Sequence, residues 1–183
     1  MKKKALMLSV LLVVAFCLTV IIKNADGTNV ESHLNKLFMD KNKDNNLKSI
    51  IKVISQIDWA KYNNKYNNGF EVIQWLYQQN RDIVTEDEIL SVLKSTNNLD
   101  GALSEAYSNL IGSLFLNRQP EFISALSKLN DNQFKVVITY LRYNFEYMDK
   151  SQKENIIGNL KKYNVDDEKL NSALTSIIRI LEE

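Results

Sequence analysis

Side chains able to do chemistry are few in this 183-residue sequence, and the densest group of them is aromatic. It runs Asp58-Trp59-Ala60-Lys61-Tyr62-Asn63-Asn64-Lys65-Tyr66-Asn67-Asn68-Gly69, with Trp75 shortly after. Rings interleaved with Lys and Asn in a connection between helices offer large contact area at low entropic cost, which suits capture of a peptide, a glycan or a partner protein. Trp59, Tyr62, Tyr66 and Trp75 are therefore the candidate partner-binding residues. The plainer reading, in which Trp59 and Tyr62 cover the end of the core, is preferred. Tyr140, Tyr143 and Tyr147 form a second aromatic face, off the densest apolar stripe of their helix, and read as an extension of the core.

A second group is acidic. Asp40-Lys41-Asn42-Lys43-Asp44-Asn45-Asn46-Leu47 resembles the start of an EF-hand calcium loop, with oxygen ligands at positions one, three and five and an apolar residue at position eight. Asn45 stands where the turn glycine belongs, and Ile51 occupies the twelfth position, where a bidentate Glu should close the site. Without that ligand the segment reads as an Asn- and Asp-rich turn between two helices. No metal and no cofactor is expected.

Catalysis needs a constellation, and the remaining stock is thin. His33 is the single histidine and has no second ligand at metal spacing. Cys17, the single cysteine, lies in an apolar run, and none of the five glycines sits in a phosphate-cradling motif. The triplets Glu86-Asp87-Glu88 and Asp166-Asp167-Glu168 fall in first turns, where carboxylates favour the positive end of a helix. The expectation is a protein that is not an enzyme.

Three lysines, Lys2 to Lys4, precede an 18-residue apolar run from Ala5 to Ile22 that Lys23 closes. Eighteen helical residues span roughly 27 Å, close to the roughly 30 Å of a bilayer core and longer than a typical cleaved signal. Residues 1–23 are therefore expected to be a signal or membrane-anchor segment, retained, with residues 24–29 as linker and residues 30–183 as one all-helical domain outside the cytoplasm. Cleavage after Gly27 is the alternative. Attachment of lipid at Cys17 is a third, with Phe16 against it, because a lipobox wants a small residue there.

Taking Lys2, Lys3, Lys4 and Lys23 from 23 basic residues leaves 19 against 22 acidic ones, so the remainder has no electrostatic case for nucleic acid. With Cys17 in the apolar run, that remainder also has no disulfide or thiolate site. Abundant Asn, Lys and Ile suggest a bacterial source.

Helical periodicity must position whatever site exists, and it runs nearly without break. Stripes are formed by Leu34, Leu37 and Phe38; by Leu47, Ile50, Ile51, Ile54 and Ile57; and by Phe70, Ile73, Leu76 and Tyr77. Thr85 to Glu88 is a capping box before Ile89, Leu90, Val92 and Leu93. Asp100 caps the longest stripe, Leu103 to Phe115, and Pro120 opens the next helix. Asp131, a Ser151 to Glu154 box, and Asp166 start the last three. Short connections predict antiparallel neighbours, giving a helical bundle or a short right-handed stack of antiparallel helical hairpins.

The function expected from this layout is an extracytoplasmic, membrane-tethered interaction module of the bacterial cell envelope with a protein or peptide partner. The alternative is a secreted or surface binding protein for a small ligand or cell-wall glycan. A large apolar groove would favour the first and an aromatic-lined pocket of roughly 300 to 1,000 Å³ the second, whereas two facing buried carboxylates would mark a hydrolase.

Overall fold

Apolar residues at three- and four-residue spacing, separated by polar caps, give ten α-helices in the computed structural model, which describes residues 30–163 and 166–183. In chain order these are α1 (Val30–Phe38), α2 (Leu47–Ile54), α3 (Trp59–Tyr66), α4 (Gly69–Gln78), α5 (Glu86–Leu93), α6 (Gly101–Asn117), α7 (Gln119–Ser127), α8 (Asp131–Phe145), α9 (Lys150–Leu160) and α10 (Glu168–Glu182). Among the described residues there is no strand, and the chain is all-helical in the manner of a bundle.

Five of these helices, α3, α5, α8, α9 and α10, start by one physical rule. A capping side chain must accept an amide three residues ahead from a residue whose own backbone is still extended. Thr85 does this for α5, taking the Glu88 amide at 3.2 Å while Glu88 returns the bond to the Thr85 amide at 3.0 Å. The expected caps shift by one or two residues elsewhere. Asn130 rather than Asp131 caps α8, Asp149 with Gln152 forms the box of α9 in place of Ser151 with Glu154, and Asp167 rather than Asp166 caps α10. The expected connection after Asp58 is itself a helix, α3, because Asp58 accepts the Lys61 amide at 3.0 Å and starts it.

The most extensive packing joins helices two apart in the chain: α4 against α6, α6 against α8, and α5 against α7. Gly69 of α4 lies beside Leu103, early in α6, and Asn80, just past α4, accepts a hydrogen bond from Asn117 at the end of α6. Further along, Ser108 meets Tyr140 and Phe115 stacks on Phe145 at 5.3 Å. Early residues meet early and late meet late, so α4, α6 and α8 run in one direction. Helix α10 packs across α7, α8 and α9, while α1 and α2 close the other end against α3 and α5.

Helix α6 is the centre. Leu110, Ile111, Leu114 and Phe115 are each at most 1% exposed, and burial of each such side chain contributes about 1.5–3 kcal/mol. Its small residues Ser108 and Gly112 are also buried, which lets α8 approach closely. One continuous apolar cluster links Leu34 in α1 to Leu181 in α10.

The stripe read for α4 is corrected. Phe70 and Tyr77 are each 41% exposed, whereas Val72, Ile73, Trp75 and Leu76 are buried, because α6 covers the opposite side of that helix. The expectation of a single-pass membrane protein is likewise corrected, since no helix among the described residues is long and apolar enough to cross a membrane. Residues 1–23 and 24–29, on which the anchor, cleavage and Cys17 readings rested, lie outside the described residues.

Candidate functional site

Three of the four aromatic residues expected to meet a partner lie in the core. Trp59, the first residue of α3, is 1% exposed, and its indole N–H donates to the Ser95 carbonyl at 3.0 Å and hydroxyl at 2.9 Å. Tyr62 is fully buried, edge-on to Trp59 with ring centroids 5.9 Å apart. Burial pushes its ionisation well above the usual range, and the neighbouring Tyr66 adds to the shift. Trp75 is 5% exposed, packs edge-on against Phe38 and donates to Asp44 Oδ1 at 3.1 Å. Tyr66 is half-buried against Tyr62, their rings 5.2 Å apart. The preferred reading of Trp59 and Tyr62 as core cover agrees with this burial, and the contact-edge reading is corrected for Trp59, Tyr62 and Trp75.

Both outer carboxylates of the calcium-like segment are engaged in hydrogen bonds. Asp40 Oδ1 accepts the Asn42 amide at 2.8 Å within the turn, and Asp44, in the 3-10 segment Lys43–Asn46 that leads into α2, accepts the Trp75 indole N–H from α4. Among the described residues no group of three or more His, Cys, Asp and Glu is placed to hold a metal ion. His33 is exposed on α1. The buried carboxylate among the described residues is Glu31, paired with Lys61 at 3.4 Å and facing no second carboxylate in an ion pair or hydrogen bond.

The aromatic face that reaches solvent is the one read from sequence as core extension. Val136, Tyr140, Tyr143 and Tyr147 recur at four- and three-residue steps, which aligns them along one side of α8 and its C-terminal continuation. Tyr140 is half-buried, its ring edge-on to Tyr107 at 5.3 Å and its hydroxyl 3.2 Å from Ser104 Oγ. Beyond it the ridge opens: Tyr143 is 45% exposed and Tyr147 76%. The two rings stack edge-on at 5.7 Å, and the Tyr147 hydroxyl donates to that of Tyr143 at 3.3 Å. The hydrogen bond and like charge of Tyr147, then slight burial, then the carboxylates of Glu105 and Glu146 raise the Tyr143 ionisation above its ordinary value.

Directly after Tyr147 the chain enters a groove of about 740 Å³ between α9 and α10. Met148, Ile157, Gly158 and Leu181 supply its apolar lining. Its rim is charged, with Lys161 held to Glu182 at 3.2 Å and Lys150 to Glu154 at 3.8 Å. The volume falls within the range of small-ligand pockets, yet no aromatic side chain lines it.

The three- and four-residue spacing of Tyr140, Tyr143 and Tyr147 is the sequence signal for this ridge. Spacing alone does not separate it from core, because a tyrosine stripe looks the same whether or not another helix covers it. No family model, curated protein or solved structure matches the chain.

Proposed function

We propose that this chain is a non-catalytic helical protein-interaction module whose docking surface is the Tyr143–Tyr147 ridge of α8 together with the groove that follows it. The observation that carries this reading is the exposure of two stacked tyrosines, one of them at 76%, on a helix whose other side is buried in the core. Tyrosine is enriched at interfaces because it gives a partner both apolar area and a hydrogen-bonding tip. The apolar lining and charged rim of the adjoining groove have the composition of a protein-binding surface.

The layering supports a finer form of the same reading, a short stack of helical hairpins. In it α4, α6 and α8 make one layer, and α5 and α7 with α10 make the other. Such stacks present one broad face to a partner. The small-ligand or glycan reading has less support, because Trp59, Tyr62 and Trp75 are in the core and the groove carries no ring.

The test is a photo-crosslinking amino acid at position 147 in living cells, with Lys135, exposed elsewhere on α8, as the control position. A discrete covalent adduct from position 147 that is absent from position 135 is expected. No adduct at 147, or the same adducts at both positions, overturns the proposal.

A further inference from the structure

Tyr143 and Tyr147 do not stand in a neutral setting. Glu146 lies between them in the chain, exposed, and Glu105 is exposed on α6, one residue after the Ser104 that touches Tyr140. Both carboxylates act on the Tyr143 hydroxyl. Basic side chains are absent from α4 and α6, the helices on one side of the ridge. On the other side Arg142 is held by Glu183 through two contacts, at 2.8 and 3.2 Å, which neutralises the nearest guanidinium. Lys150 is paired with Glu154 at 3.8 Å and Lys161 with Glu182 at 3.2 Å, and Lys153 shares a small hollow with Arg142, Glu146 and Glu183.

We infer that the ridge receives a Lys- or Arg-bearing peptide segment of the partner, with the cationic side chain seated on the Tyr143–Tyr147 pair between Glu105 and Glu146. This rests on the docking surface proposed above. The argument is charge complementarity at an aromatic face. A cation over a tyrosine ring is drawn to the ring's negative face, and a guanidinium lying flat on the ring still has its edge N–H groups free for a carboxylate. Two exposed carboxylates, Glu105 on α6 and Glu146 between the two tyrosines in the chain, offer that edge partners. An acidic segment would meet like charges here, and a purely apolar one would leave both carboxylates facing uncharged surface. The same layout predicts weakening with salt, since the charges are exposed.

The test uses the full-length chain labelled with 3-fluorotyrosine, its resonances at positions 143 and 147 assigned from Tyr143→Phe and Tyr147→Phe. The probes are a short acetylated, amidated Gly-Arg-Gly-Arg-Gly peptide and the same peptide with citrulline, which keeps the shape of arginine without its charge. The arginine peptide is expected to shift both resonances saturably and the citrulline peptide to shift neither. Glu105→Gln and Glu146→Gln, both at exposed positions that leave the core untouched, are each expected to weaken binding about two- to fivefold. Equal shifts from both peptides, no shift from either, or unchanged affinity in both Gln variants would overturn the inference. If position 147 still crosslinks a partner in cells after such a result, the docking surface stands and only its preference for a cation falls. If it does not, both fall.

Discussion

Trp59 at the start of α3 and Ser95 just past the end of α5, separated by 36 residues of sequence, share two buried hydrogen bonds through a single indole N–H. The Trp59 amide also donates to Asn97 at 3.1 Å, and the Asn98 side chain donates to Asp58 at 2.8 Å. Helix α3 is thereby held at its first turn to the loop that leads into α6. Ser95→Ala is expected to cost about 1 kcal/mol, because the carbonyl acceptor remains, and Trp59→Phe about 2–4 kcal/mol, because both Ser95 acceptors are left buried and a void opens. Urea unfolding followed by circular dichroism measures both. Equal losses for the two variants would contradict the assignment of the indole N–H as the shared donor.

The close crossing of α6 and α8 turns on Gly112. A Cβ there would strike the side-chain amide of Asn144, which itself donates to Asn109 at 3.4 Å. Alanine inside a helix is ordinarily worth about 1 kcal/mol over glycine. Gly112→Ala is therefore expected to destabilise the native chain yet stabilise an Asn144→Ala background by about 1 kcal/mol. A thermodynamic cycle that gives the same change in both backgrounds would remove Asn144 as the cause.

Glu86 links α5 to the end of α7, accepting a hydrogen bond from Ser124 at 2.6 Å and forming an ion pair with Lys128. The Lys128 contact first, then that of Ser124, holds its carboxyl below the ordinary 4.5. A depressed carboxyl adds stability that is complete above the unfolded value and is lost as pH falls through the folded one. The wild-type Tm is thus expected to drop more than that of Glu86→Gln between about pH 6 and about pH 3, with Ser124→Ala in between. Parallel pH profiles for wild type and Glu86→Gln would contradict this.

Asn68-Gly69 is the single Asn-Gly pair in the sequence, the pairing most open to succinimide formation. In that reaction the Gly69 nitrogen attacks Asn68 Cγ and expels ammonia, and water then opens the ring to Asp or isoAsp. Here the Gly69 N–H is held by Asn63 Oδ1 at 3.1 Å, and the Asn68 amide nitrogen donates to Asn35 at 3.1 Å. Peptide mapping of aged samples should find Asn68 largely intact in the folded chain, deamidated in urea, and deamidated faster in folded Asn63→Ala than in wild type. Equal rates in folded and unfolded chains would show that these contacts give no protection.

Much of the secondary structure could be read from residues alone. Asp100 does precede α6, although its side chain accepts no capping hydrogen bond, and Leu103 to Phe115 do form its buried face. Errors gathered where two local readings competed. Asn130 and Asp131 are adjacent candidates to cap α8, and the choice went to the residue whose backbone is extended, with ψ 163°. The Asn- and Tyr-rich segment from Asp58 looked like a connection because its helix propensity is modest, and it became a helix because Trp59 and Tyr62 gain their burial only in that form.

The sequence by itself determined that this chain is helical, where its helices lie to within a residue or two for most of its length, and that its stock for catalysis is thin, because periodicity, caps and composition are local properties. Tertiary structure alone decided which aromatic rings are core and which are surface. Trp75 is inside because Asp44 and Phe38, more than thirty residues earlier, come to meet it, with Asp44 at 3.1 Å. Tyr143 and Tyr147 are outside because no described helix crosses their side of α8. A ring's spacing along a helix names the face it shares, but only the packing of distant elements determines whether that face is covered.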